Sequence, residues 1–162
     1  MEYDYHEAMK LDNQLCFPLY AAARNVTGMY TPWLKPLGLT YTQYIVFLVL
    51  WEKDGISVTE IGERLMLDNG TLSPLLKKME QAGYVKRRRS RGDDRVVEIT
   101  LTEAGRALQE KAKDIPGNVA GCIELPPEKA RMLYALLHEL LGNQKDKNDR
   151  KKGRSMKDED CL

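Results

Sequence analysis

Three cysteines, Cys16, Cys122 and Cys161, carry the most reactive groups of this 162-residue chain. The thiolate is the nucleophile of cysteine chemistry: it attacks an O–O bond, and the sulfenic acid that results condenses with a second thiol. The cysteines are odd in number, widely spaced and accompanied by only two histidines, so neither a disulfide scaffold nor a zinc site is indicated. Cys16 stands four residues before Tyr20, so a helix would bring both to one face. Taken alone, a cysteine between Leu15 and Phe17 reads as a small buried hydrophobe. The sequence holds no phosphate-binding glycine loop, no set of nucleophile, base and acid, and no Cys-x-x-Cys pair to re-reduce a catalytic thiol. No cofactor or metal is expected, and the chain does not read as an enzyme.

The second chemistry is phosphate recognition. Between Asn69 and Arg95 there are eight basic residues, Lys77, Lys78, Lys86, Arg87, Arg88, Arg89, Arg91 and Arg95, against three acids, Glu80, Asp93 and Asp94. The formal net charge of the whole chain is only +1, so acids elsewhere make this excess a patch and not a background. Double-stranded DNA is the natural partner of such a patch.

The elements that must position these groups can be read from the pattern. Ser57 followed by Glu60 predicts a capping box, with the hydroxyl accepting from the Glu60 N–H and the carboxylate reaching back to the Ser57 N–H. A helix with Val58, Ile61, Leu65 and Met66 on its apolar side follows, broken at Leu67-Asp68-Asn69-Gly70. Asp68 then caps a second helix, Thr71 to Ala82, with Leu72, Leu75, Leu76 and Met79 inward and a polar outer face, ended by Gly83. Strands Val85 to Ser90 and Val96 to Leu101 flank a charged tip. Helix, turn, helix and basic two-stranded wing, in that order, predict a winged helix-turn-helix. Asp68, Asn69, Thr71, Ser73, Pro74, Lys77 and Lys78 are expected to face the major groove and its phosphates, with Arg91 and Arg95 on the wing and Arg95 in the flanking minor groove.

The remainder supports this unit. Leu15 to Tyr30 is predicted helical; Pro18 either kinks it or lies in a first turn that begins near Cys16 and Phe17. Residues 1–11 read as a partly ordered lead-in, and Thr31 to Gly38 as a short helix or turn. Thr42 to Lys53, apolar nearly all round, is the expected hub of the core. Thr102 caps a helix through Ala112, Pro116-Gly117 makes a kink, and a last helix with Met132, Leu133, Leu136, Leu137, Leu140 and Leu141 is expected to stop at Gly142. The predicted fold is mostly α with a small β wing and N- and C-terminal dimerisation helices, in one domain over residues 1–142. Its DNA-binding lobe spans about 42–102, and its dimerisation helices about 12–36 and 103–142. Residues 143–162 are expected to be a disordered charged tail whose acids nearly cancel Arg150-Lys151-Lys152-Gly153-Arg154, with Cys161 an incidental thiol. No segment has the composition of a signal peptide or membrane span, which predicts a cytoplasmic protein without a membrane partner.

The long helical N-terminus, the winged helix with its Asp93-Asp94-Arg95 tip, the Leu101-Thr102 helix start and the C-terminal helices together resemble the MarR family of dimeric bacterial repressors. Leu11 to Arg24, LDNQLCFPLYAAAR, is similar to the signature of its organic-hydroperoxide-sensing OhrR branch, NQLCFxLY. LDNGTLSPLLKKMEQAGYVKR resembles the reader helix of the same branch. Pro18 departs from that branch, which usually has a helix-friendly residue there. The resemblance implies a homodimer that releases a near-palindromic operator when an organic hydroperoxide oxidises Cys16. It also implies that Tyr30 and Tyr41 hydrogen-bond this thiol from the partner subunit, with Tyr20 in a supporting position. Some members of the branch carry a resolving cysteine near the end of the fifth helix, a role open to Cys122; its other reading is a packed interface residue. Two further functions stand beside this one: a MarR-type repressor released by a small-molecule ligand, and a thiol peroxidase using Cys16.

Overall fold

The computed structural model describes residues 4–90, 92–93 and 95–158, with 143–158 as backbone only. Its helices are α1 (Tyr5–Ala8), α2 (Cys16–Met29), α3 (Thr31–Leu34), α4 (Tyr41–Glu52), α5 (Val58–Leu65), α6 (Asn69–Gln81), α7 (Glu103–Ala112), α8 (Ile115–Ala120) and α9 (Pro127–Asp158). Three strands, β1 (Ile56–Ser57), β2 (Val85–Arg89) and β3 (Val97–Leu101), form one antiparallel sheet in the order β1-β3-β2. The chain divides after Cys122 into two compact units.

In the first unit α4 is the hub. Tyr44, Val46, Phe47, Val49 and Leu50 are all buried, as a helix apolar on every side requires. Ile61 of α5, Leu72, Leu76 and Met79 of α6, Val85 of β2, and Ile99 and Leu101 of β3 join the same core. A complete capping box starts α4: Thr40 Oγ1 accepts from the Gln43 N–H at 3.3 Å, and Gln43 Oε1 accepts from the Thr40 N–H at 2.9 Å.

Only half of the box expected at α5 is formed. Ser57 Oγ accepts from the Glu60 N–H at 3.0 Å, but the Glu60 carboxylate turns to Lys53 Nζ at 2.8 Å instead of reaching back. An ammonium is a stronger partner than a neutral amide, and α4 ends within its reach. Met66 does not belong to the apolar stripe. It lies 49% exposed in the left-handed region, φ 55°, where it ends α5. The close α5–α6 turn depends on Gly62, where a Cβ would stand 2.8 Å from Leu67 O.

The wing pairs Val85 with Leu101 through Arg89 with Val97 in register. Its third strand, β1, is two residues long and had no counterpart in the sequence reading; Ile56 pairs with Ile99. Thr102 caps α7 as expected, accepting from the Gly105 N–H at 3.1 Å. Pro116 opens a separate helix, α8, in place of a kink.

The second unit is dominated by α9. Gly142 does not stop it: the helix runs on to Asp158 through the stretch expected to be disordered, and 159–162 lie outside the described residues. One interior glycine costs only about 1 kcal/mol against alanine, and the Lys, Gln and Arg around it are good helix formers. Among the described residues no helix is long and apolar enough to cross a membrane.

Candidate functional site

The DNA-facing candidates lie on α6 and the wing. Asp68 is the N-cap: its carboxylate accepts from the Thr71 N–H at 2.8 Å and from the Thr71 hydroxyl at 2.9 Å. These two bonds hold the Asp68 carboxyl below the usual carboxylate range, so its charge is fixed at the start of the helix. Asn69, Thr71, Ser73, Pro74, Lys77 and Lys78 are all exposed, on the side opposite buried Leu72, Leu76 and Met79. Pro74 sits inside α6, where it leaves the Gly70 carbonyl without its helical donor. Gly83, at φ 77°, closes the helix, and the Tyr84 N–H returns to Met79 O at 3.0 Å.

Lys86, Arg88 and Arg89 are exposed on β2. At the tip Arg95 is 93% exposed; its N–H donates to Asp93 Oδ1 at 2.9 Å and its Nε lies 3.5 Å from the same atom. Asp93 thus shapes the turn and leaves most of the Arg95 guanidinium free to reach outward. Arg91 lies outside the described residues.

The base of the wing is tied to the helices by a clasp that the sequence reading did not single out. Asp54 Oδ1 accepts from the Leu101 N–H at 2.8 Å, and Arg106 bonds both Asp54 Oδ2 and Leu101 O. Beside it Trp51 Nε1 donates to Gly105 O at 3.0 Å.

Cys16 is the first residue of α2 and is exposed. Pro18 is accommodated in that first turn, where its missing N–H has no helical acceptor to lose; the first bond of the helix runs from the Leu19 N–H to Leu15 O. The start of a helix is also where unpaired amides favour a negative group. Tyr20, one turn further, is 58% exposed, with the Arg24 guanidinium 5.6 Å from its ring centre.

Tyr30 ends α2 and Tyr41 begins α4, and their rings meet edge to face at 4.9 Å. Buried Tyr44 joins them, 5.7 Å from Tyr30. The sequence reading placed Tyr44 in the core alone; its spacing of three from Tyr41 is the helical signal that puts both rings on one side of α4. Burial, then the neighbouring Tyr30, pushes the Tyr41 hydroxyl up, and the same causes followed by Tyr41 push up Tyr44, so both remain protonated donors well above neutral pH. A cavity of about 420 Å³ opens beside Tyr41, lined by Thr27, Thr31, Leu34, Lys35, Leu39 and Thr40 among others.

Cys16 and Tyr30 do not meet within one chain: they sit at the two ends of α2, roughly 20 Å apart at about 1.5 Å per residue. Cys122 follows α8 with its thiol exposed, 3.4 Å from Asn118 O. Among the described residues no group of His, Cys, Asp and Glu is arranged to hold a metal ion.

The family model described as transcriptional regulator SarA/Rot matches residues 28–112, more than half of the chain. Over 140 residues the chain is 49% identical to the organic hydroperoxide resistance transcriptional regulator of Bacillus subtilis, covering 86% of this chain and 95% of that protein. Among solved structures it resembles AbfR of Staphylococcus epidermidis. Against the overoxidised form bound to DNA the TM-score is 0.70 at 37% identity, over 87% of this chain and 99% of that one. Against the disulfide form it is 0.58 at 39% identity, over 85% and 96%. With the winged helix, its basic face and these relatives in view, the chain belongs to the MarR family of DNA-binding transcriptional regulators, in the organic-hydroperoxide OhrR branch.

Proposed function

We propose that the chain acts in the cytoplasm as a homodimeric repressor, held on a near-palindromic operator while Cys16 is reduced and released when an organic hydroperoxide oxidises it. The observation that carries this reading is α2 itself. It buries none of its residues within its own chain, and it holds Cys16 at one end and Tyr30 at the other. Two copies of α2 packed antiparallel would cover the bare faces and bring each Cys16 to Tyr30 and Tyr41 of the partner subunit. Helix α9 offers a second uncovered apolar face in Met132, Leu133, Leu136, Leu137, Leu140 and Leu141, of the kind dimers bury. In such a dimer the two α6 helices enter successive major grooves about 34 Å apart. Asn69, Thr71, Ser73, Pro74, Lys77 and Lys78 face the groove, Asp68 positions Thr71, and Arg91 and Arg95 follow the flanking backbone and minor groove.

The chemistry is a two-electron oxidation. Cys16 Sγ attacks the distal peroxide oxygen; the S–O bond forms as the O–O bond breaks, and the alkoxide takes a proton and leaves as the alcohol. The Tyr41 hydroxyl, kept protonated by burial, is suited to orient the sulfur and the departing oxygen. The sulfenic acid then condenses with a thiol, Cys122 of the partner subunit or a small cellular thiol, losing water and forming a disulfide. The overoxidised form of AbfR is bound to DNA, which favours a disulfide over further oxidation of the single sulfur as the releasing species. A hundredfold loss of operator occupancy requires only about 2.7 kcal/mol of coupling, within reach of a few lost hydrogen bonds and repacking.

Operator binding measured by fluorescence anisotropy, before and after cumene hydroperoxide, tests this. Wild type should release and recover with reductant, while Cys16→Ser should bind normally and stay bound. If Cys16→Ser is released as readily as wild type, the ligand-controlled alternative takes over, with the cavity beside Tyr41 as its candidate site. With excess hydroperoxide and thiol, sustained turnover would instead make the chain a thiol peroxidase.

A further inference from the structure

Glu80 is the only acid in α6, and its place is unfavourable on two counts. It stands in the last turn, where the negative end of a helix disfavours a carboxylate, and it subtracts from the positive patch that meets phosphate. Its contacts supply a reason for it. The Glu80 carboxylate accepts from the Arg87 N–H at 3.0 Å, and the Glu80 carbonyl accepts from the Gly83 N–H at 2.9 Å. One residue thus fastens both sides of the corner between α6 and β2.

The Arg87 N–H is open to this bond because β2 is an edge strand of the sheet. The Ser90 N–H donates to Val96 O at 2.8 Å, and the Thr102 N–H to Tyr84 O at 3.0 Å. With Val85 paired to Leu101 and Arg87 to Ile99, the even-numbered residues of β2 bond toward β3 and the odd-numbered ones point away. Without Glu80, Arg87 would present a bare N–H on the outer edge. The other flank of the wing, β3, is anchored by β1 and by Asp54. Among the described residues no other side-chain hydrogen bond joins α6 to β2 or β3.

We infer that Glu80 is a positioning residue that sets the lean of the wing against the reader helix, so that α6 and Arg95 reach the operator together. The inference rests on the proposed reach of Arg95 to DNA. From Tyr84 to Ser90 the wing extends roughly 20 Å at about 3.3 Å per residue, so a tilt of about 10° at the corner displaces its tip by about 3 Å. A hydrogen bond to phosphate does not survive that shift.

The test measures the affinity of the reduced, full-length protein for two duplexes: one selected from random sequence by the wild type, and a scrambled one of the same composition. Glu80→Ala removes both charge and tie. It should bind the selected duplex about tenfold more weakly, from one lost hydrogen bond in each protomer, while its affinity for the scrambled duplex holds or rises. Glu80→Gln removes the charge but keeps a carbonyl for the Arg87 N–H, and should bind the selected duplex at least as tightly as wild type. In an Arg95→Ala background the cost of Glu80→Ala should shrink to about threefold or less, because the tie acts through that arginine. A bystander charge predicts the opposite sign: both variants would tighten binding by relieving repulsion, and that result overturns the inference. So does an equal loss on both duplexes, a Glu80→Gln as weak as Glu80→Ala, or an undiminished cost beside Arg95→Ala. If Arg95→Ala alone leaves binding unchanged, the reading of the wing fails and takes the inference with it. If Arg95→Ala weakens binding and Glu80→Ala does not, the inference alone fails.

Discussion

Adding one methyl group at Gly105 tests how closely α7 is seated on the wing. Gly105 lies in the first turn of α7, and a Cβ built there stands 2.2 Å from Tyr84 O and 3.1 Å from Leu101 Cδ2. The nearer atom is backbone, so no rotamer change relieves the overlap; strand β2 or the start of α7 must retreat by about 1 Å. Tyr84 O also accepts from the Thr102 N–H at 3.0 Å and the Thr102 hydroxyl at 3.1 Å, and the Gly105 carbonyl accepts from Trp51. Overpacking alone costs about 1 to 3 kcal/mol. Weakening two of these hydrogen bonds adds about 1 kcal/mol each, so Gly105→Ala should destabilise by roughly 3 to 5 kcal/mol. For a chain of this size that lowers Tm by about 6 to 20 °C. The assay is thermal unfolding followed by circular dichroism at matched protomer concentration, because a dimer's Tm depends on it. Gly117→Ala is the control: nothing lies within 4 Å of its Cβ, and in α8 it should hold or slightly raise Tm. A Gly105→Ala protein melting within about 3 °C of wild type would refute the close approach, and with it the seating of α7 on Tyr84.

Arg95→Ala should weaken operator binding and lower the slope of log affinity against log salt by about one unit, as expected for one lost phosphate contact; unchanged affinity and slope would remove Arg95 from the interface. After limited hydroperoxide, non-reducing electrophoresis should show a covalent dimer for wild type and none for Cys122→Ser. A cross-link that survives there but vanishes in Cys161→Ser would move the resolving role to Cys161. The Asp68 carboxyl is held low in the folded state, so its contribution to stability is present above the ordinary aspartate pKa and is lost as pH falls through the depressed value. Asp68→Asn should therefore flatten the dependence of Tm on pH below the ordinary aspartate pKa; an undiminished slope would place the titrating group elsewhere.

What the sequence made legible was local chemistry with a fixed spacing. Asp68 three residues before Thr71, Thr102 before Gly105, Gly83 after the reader helix and the basic strands each announce a cap, a stop or a charged face without help from distant parts of the chain. The losses occurred where two separated segments compete or combine. Glu60 suited a capping box, but Lys53, seven residues away and at the end of another helix, took its carboxylate. Strand β1 exists only because Ile56 finds Ile99, and two residues carry no alternation by themselves. Gly142 carried a stop signal that the helix-forming residues around it outweighed. In the site, the cysteine and tyrosines were named by resemblance to a signature.

The indole of Trp51 stacks on Phe47 at 5.2 Å and donates across to α7. It is one of two tryptophans; the other, Trp33, is 40% exposed on α3. The molecule therefore carries a built-in optical gauge of its own wing joint. Indole emission shifts with the polarity and hydrogen bonding of its surroundings, so a movement that separates α7 from α4 registers in Trp51. A Trp33→Phe protein would show that signal unmixed, letting the joint be watched in real time on unlabelled protein as oxidant is added.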